Sequence, residues 1–341
     1  MKVFYSTTHF AHCPRYYFPE GSERELFYET PRRAECVLAA LWQTGWAEIV
    51  PPQDFGLEPI LTVHSARYLD YLRTAYSEWE LYSPIERQAF IPSSFTVDRQ
   101  EALAGNVPEQ AGFFKMHLQV PITSGTYAAA LAAAQCAISG AQTLTQGQRS
   151  VFSLCRPPGH HAGREMCGGF CFLNNAAIAA QWLSALGRVA ILDIDFHAGN
   201  GTQAIFYERA DVLTVSLHAD PAREYPHYAG NADETGAGPG AGYHRNFLFP
   251  AGTGDVLYLR TLAQALDLIV QFEPIHLVVS AGMDIYKDDP LGDFAITRQG
   301  IAGIGRAIAS LNLPTLVVME GGYAVEALGE NVVSLLETFA V

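Results

Sequence analysis

The stretch Val189–Thr202, VAILDIDFHAGNGT, decides how the chain is read. Four apolar residues, Val189, Ala190, Ile191 and Leu192, run directly into Asp193, Asp195, His197 and Asn200. A near-continuous aliphatic run is the mark of a strand buried on both faces of a parallel sheet. The polar cluster begins where such a strand leaves the sheet, and in open α/β folds ligands bind at that edge. Residues 195 and 197 are two apart, so an extended strand points both to one side. A carboxylate and an imidazole converging on one point supply two of the three protein ligands of a catalytic zinc shell, which keeps one position open to water.

Working outward, the same pattern recurs four times. Val151–Leu154 leads into CRPPGHHAG, Val212–Leu217 into HAD, Leu277–Val279 into SAGMD, and Leu316–Met319 into EGGY. Between these runs lie helix-like stretches, Asn175–Leu186, Leu257–Phe272 and Ile301–Leu311, with an Ala-rich helix over Tyr127–Ala141. The alternation predicts a doubly wound α/β domain with crossover helices. His160, His161, Asp195, His197, Asp284 and Tyr323 would then meet at one sheet edge.

The bulk numbers are consistent with one large domain spanning 1–341. Charged residues are only 16% of the chain and hydrophobic residues 49%, which suits a large buried core. With 21 basic against 35 acidic residues the formal charge is −14, which argues against nucleic acid and toward small cationic ligands. No apolar run approaches the roughly 18 residues needed to cross a bilayer. The start, MKVFYSTTHF, lacks the apolar core of a secretory signal. Cys13, Cys36, Cys136, Cys155, Cys167 and Cys171 show no paired framework and read as reduced thiols, so the expected compartment is the cytoplasm. One segment departs from the α/β pattern. Residues 77–119 are rich in Pro, Ser, Gln and aromatics, and read as an ordered excursion that packs on a partner subunit or at the mouth of a site.

The motifs RPPGHHA, DIDFHAGNGT, SLHAD, AGMD and EGGY, in this order and spacing, resemble the zinc-dependent histone deacetylase family. The Glu29–Glu35 segment ETPRRAE, the His218–Gly230 segment HADPAREYPHYAG and the excursion after Tyr76 make the chain look most like the bacterial acetylpolyamine amidohydrolases. The resemblance implies an arginase-deacetylase fold with a central parallel sheet of about eight strands flanked by helices. It implies one catalytic Zn²⁺ (Fe²⁺ being the alternative in the cell) on Asp195, His197 and Asp284. It implies a structural K⁺ near Asp193, Asp195, His197, Ser216 and Leu217, and a homodimer formed through 77–119.

By the same resemblance His160 and His161 stand beside the attacking water and Tyr323 beside the substrate carbonyl. Asp193 is expected to orient His160 and Asn200 to orient His161. The charged partner makes His160 mainly electrostatic and leaves His161 as general base, then acid toward the leaving amine. Gly321 and Gly322 give the backbone in front of Tyr323 room to approach closely. The substrate tunnel is expected to run along Gly169, Phe170, Tyr225 and Leu291. Leu291 stands where a polyamine-selective relative carries an acid, and Tyr17 and Pro108 stand where the amidohydrolases tend to place acids. Glu20 and Glu109 are candidate replacements, and Ala198 replaces a histidine common in the family. His64, His218, His227 and His276 read as structural.

The leading expectation is hydrolysis of acetylated diamines such as acetylputrescine or acetylcadaverine. The alternative is a broader deacetylase or amidase acting on acetyllysine in peptides or proteins. A binuclear manganese ureohydrolase needs additional Asp and His ligands that the motifs do not supply. A non-catalytic sensor of acetylated ligands predicts a missing catalytic group, and none is missing.

Overall fold

The computed structural model describes residues 1–15, 27–82, 89–90, 106–116 and 120–340. Among these, eight parallel strands form one sheet: β1 (Lys2–Phe4), β2 (Glu48–Val50), β3 (Ser150–Ser153), β4 (Val189–Asp193), β5 (Val212–Ala219), β6 (His244–Phe249), β7 (His276–Ala281) and β8 (Thr315–Met319). Their order is β2-β1-β3-β8-β7-β4-β5-β6. This is the sheet of an arginase-deacetylase fold. All five apolar runs read from sequence are strands, and four of them, β3, β8, β7 and β4, lie side by side at its centre.

Two cores explain why those runs are continuous rather than alternating. Val151, Ile191, Val278 and Leu316 face a core made with α3 (Ala66–Tyr82), α4 (Val107–Phe114), α5 (Thr126–Thr145) and α6 (Asn175–Ser184). Their neighbours Phe152, Leu192, Val279 and Val317 face the opposite core, made with α1 (Arg32–Trp42), α8 (Asp255–Phe272), α9 (Arg298–Ala309) and α10 (Val325–Leu336). The remaining helices are α2 (Glu58–Leu61) and α7 (Asn200–Phe206). Successive strand residues point to opposite faces, and both faces are covered.

Part of the 77–119 excursion is regular. Residues 77–82 continue α3, and Val107–Phe114 form α4 with a capping box between Asn106 and Glu109. Trp79 stacks on Phe90 and Tyr71 on Phe114, and Phe90, Phe113 and Phe114 are buried in the chain's own core. The aromatics of this segment that are described therefore pack at home; 83–88, 91–105 and 117–119 lie outside the described residues. No described helix is long and apolar enough to cross a membrane.

Candidate active site and metal centre

The turns after β4 and β7 bring three ligand-type side chains together. Donor atoms of Asp195, His197 and Asp284 all lie within 4.8 Å of one another. The mechanism differs from the strand pleat expected from sequence. β4 stops at Asp193, and Asp195 and His197 sit in the following turn. Backbone N–H groups fold that turn onto its own carboxylates: Asp195 N–H donates to Asp193 Oδ1 at 3.0 Å and His197 N–H to Asp195 Oδ1 at 2.9 Å. Phe196 N–H donates to Asp284 Oδ1 at 3.0 Å, and Gly321 N–H to Asp195 Oδ2 at 2.9 Å. A Cβ at Gly321 would lie 2.4 Å from Asp284 Oδ2 and 2.6 Å from Asp195 Oδ2, so any side chain there intrudes on both carboxylates. Gly322 adopts φ +118°, a conformation open to glycine.

The charges in this cluster call for a cation. His197 Nδ1 lies 3.3 Å from Asp195 Oδ1 and 3.2 Å from Asp284 Oδ2. Burial alone would depress His197, yet its hydrogen bonds to the two carboxylates carry it up to about 10. Burial, and then the charge of Asp195, push Asp284 above the usual carboxylate range. Two buried carboxylates around one imidazole are held together by a proton, and a divalent ion fits the same place with the imidazole neutral.

The tandem histidines have different partners. His160 Nδ1 lies 3.0 Å from Asp193 Oδ2, and its Nε2 lies 3.7 Å from Asp195 Oδ1. Burial works against its charge, but Asp195 and Asp193 outweigh it and raise His160 well above the ordinary histidine value. His161 Nδ1 lies 2.7 Å from Asn200 Oδ1, so the amide oxygen accepts from the ring N–H and Nε2 is left as the basic nitrogen. Burial, with His160 and His197 nearby, holds His161 well below the ordinary value. Two like groups are thereby pushed apart, one toward the charged form and one toward the neutral form. Both backing residues are those expected from sequence.

Tyr323 is buried against Phe170, ring centroids 5.6 Å apart, with the Arg33 guanidinium 4.8 Å from its ring centre. Tyr225 packs edge-on against His161 at 4.8 Å and His197 at 6.1 Å. Gly169, at φ +49°, leaves only 2.1 Å between a built Cβ and His161 Cδ2. Gly169, Phe170 and Tyr225 are thus at the site, as expected. Leu291 is half-buried on the loop that follows Asp284.

Several residues escaped the sequence reading. Arg33 Nε donates to Gly322 O at 2.6 Å and its Nη2 to Glu320 O at 2.5 Å, gripping the carbonyls of the EGGY turn. Glu29, fully buried, pairs with both Arg33 at 2.7 Å and Arg156 at 2.9 Å. Glu320 Oε2 accepts from Gly159 N–H at 2.6 Å and His160 N–H at 3.1 Å, fixing the turn that presents the histidines. Asp289 Oδ2 accepts from Tyr323 N–H at 2.6 Å. All five sit inside or beside quoted motifs. Only Glu320, directly after the apolar run Leu316–Met319, stood out by its setting; Glu29, Arg33 and Asp289 lie among other charged residues, and sequence spacing does not show whom they meet.

The other candidates divide. Asp193 and Ser216 are register partners on β4 and β5, with Leu217 next in the strand, while the Ser216 hydroxyl lies 2.7 Å from His218 Nδ1. Glu109 is exposed and its carboxylate accepts from Asn106 N–H at 3.0 Å, so it serves the α4 terminus. Pro108 occupies the first turn of α4, and Tyr17 and Glu20 lie outside the described residues. His64 accepts from Asn174 N–H at 2.9 Å and His218 meets Gly230 O at 2.9 Å, both structural roles. All six cysteines are free, and Cys155, Cys167 and Cys171 are buried.

A cluster of metal-ligand side chains beside one histidine held toward the charged form and one toward the neutral form is suited to hydrolysis of an unactivated amide, which places the chain among deacetylase-type hydrolases. A model of the histone deacetylase domain matches residues 27–339. The chain is 42% identical to acetylpolyamine amidohydrolase 1 of Pseudomonas aeruginosa, covering 98% of this chain and 97% of that protein. It is 44% identical to the acetylpolyamine amidohydrolase of Mycoplana ramosa, covering 94% of each. A crystal structure of an acetylpolyamine aminohydrolase from Burkholderia pseudomallei superposes with a TM-score of 0.95 at 39% identity, covering 100% of this chain and 99% of that one. The chain belongs to the histone deacetylase family. Membership implies a divalent metal cofactor, and Asp195, His197 and Asp284 offer a fitting set of donors.

Proposed function

We propose that the protein hydrolyses the acetyl amide of N-acetylated polyamines and diamines, acetylputrescine and acetylcadaverine among them, to acetate and free amine. The observation that carries this reading is the unequal backing of the histidine pair beside the Asp195–His197–Asp284 cluster. Zinc held by those three residues would supply Lewis acidity toward the carbonyl and the attacking water.

The chain's own groups then divide the proton and charge work. Neutral His161 takes a proton from water at Nε2 as the water oxygen bonds to the carbonyl carbon. The same proton passes to the amide nitrogen as the C–N bond breaks, and the amine departs. His160, paired with Asp193, stays cationic and faces the developing negative charge. Tyr323 donates its O–H to the carbonyl oxygen as that oxygen becomes anionic, a contribution of about 2.7–4 kcal/mol in comparable sites.

For the substrate class, support comes from the similarity to acetylpolyamine amidohydrolases over nearly the whole chain and from the net charge of −14, which favours a cationic ligand. A tunnel along Gly169, Phe170, Tyr225 and Leu291 suits a methylene chain with a terminal acetamide. The reading further includes a structural K⁺ at Asp193, Asp195, His197, Ser216 and Leu217, a homodimer through 77–119, and action in the cytoplasm.

Acetate release from N-acetylputrescine, N-acetylcadaverine and an acetyllysine peptide tests the substrate. Turnover of both diamines well above the peptide is the expected result. Preference for the peptide would contradict it and assign a broader deacetylase, the alternative that Leu291 and the occupied carboxylate of Glu109 favour.

A further inference from the structure

We propose that Asp289 is the positioning residue that holds Tyr323 in its working place. Asp289 is 6% exposed and lies on the loop after β7, between Asp284 and Leu291. Its Oδ2 accepts from the N–H groups of Tyr323 at 2.6 Å and Ala324 at 2.9 Å. Its Oδ1 accepts from Leu291 N–H at 3.0 Å, and its own N–H donates to Tyr286 O at 2.9 Å. One carboxylate thereby ties the loop leaving β7 to the loop leaving β8, two neighbouring strands.

Position in the chain gives the tie its consequence. Gly321 and Gly322 immediately precede Tyr323, with Gly322 at φ +118°, so the course of the chain into Tyr323 is set by hydrogen bonds rather than by side-chain stiffness. Arg33 holds the Glu320 carbonyl and, from its carbonyl side, the Gly322–Tyr323 peptide. Asp289 holds that same peptide from its N–H side and also the next one, at Ala324, so both peptides that flank Tyr323 Cα, and with them the direction of the side chain whose hydroxyl must meet the reacting oxygen, depend on one carboxylate. Only an acceptor serves all three N–H groups. Asn at 289 would turn an NH₂ toward at least one of them, setting donor against donor. A displacement of about 1 Å in a reacting group costs roughly 100-fold in rate.

The inference rests on Tyr323 being the oxyanion donor, and a double-mutant cycle separates the two claims. kcat and KM for N-acetylputrescine are measured on the metal-loaded enzyme, Asp289→Asn, Tyr323→Phe and the double variant, with metal content and melting temperature recorded for each. Asp289→Asn is expected to lower kcat roughly 10- to 100-fold with little change in KM. In the Tyr323→Phe background the same change should cost less than about twofold, because the group it positions is gone. A merely structural tie, such as capping α10, would cost the same factor in both backgrounds and overturn the proposal. Loss of metal, or an unchanged kcat in Asp289→Asn, would overturn it too. If Tyr323→Phe alone keeps full activity, the reading of Tyr323 itself falls, and the inference with it. Should Asp289→Asn not fold, Asp289→Glu, which keeps the charge and shifts the carboxylate, enters the same cycle with the same criteria.

Discussion

His161→Ala is expected to lower kcat by about two to four orders of magnitude, the range that a positioned general acid–base contributes. His160→Ala should fall short of that loss. The difference follows from their partners. Asn200 accepts from Nδ1–H of His161 without adding charge, so Nε2 remains available to take and return a proton. Asp193 stabilises the cationic form of His160, which can attract negative charge but is a poor base while protonated. Steady-state kinetics on the two alanine variants, each with its metal content verified, checks the assignment. Equal losses would contradict this division, and the larger loss at His160 would reverse it.

Tyr323→Phe is the second large effect. Loss of one oxyanion donor costs about 100- to 1,000-fold in kcat in comparable sites. The ring's contacts with Phe170 and the Arg33 guanidinium do not involve the hydroxyl, so the variant should melt at nearly the wild-type temperature. Because the donor acts on charge that develops only in the transition state, KM should change little. A matching rise in KM with kcat preserved would place the hydroxyl in ground-state binding instead.

The centre of this fold was legible because the sheet is covered on both faces. Burial on both faces leaves an apolar run in each of β3, β4, β5, β7 and β8, and the change to Asp, His and Tyr marks the edge where they end. The flanking strands were not read from pattern. β1 and β2 are three residues each, and β2 is an edge strand without a fully buried residue. β6, at the other edge, carries His244, Arg245 and Asn246, a polar start that resembles a loop. The ligand trio and the paired histidines were legible as motifs, yet their convergence was expected from the wrong cause. The turn after β4 winds onto Asp193 and Asp195 through backbone N–H groups, which no side-chain pattern records. For the same reason Arg33, Glu320 and Asp289 were missed: each acts on backbone atoms of a distant segment.

The metal stands at the centre of the functional reading, and counting it is the most direct test. Elemental analysis of fully active enzyme, alongside turnover of N-acetylputrescine, is expected to give one zinc per chain, with activity lost on chelation and regained in proportion to the zinc restored. Two manganese ions per chain at full activity, or undiminished turnover after the metal is stripped, would contradict it.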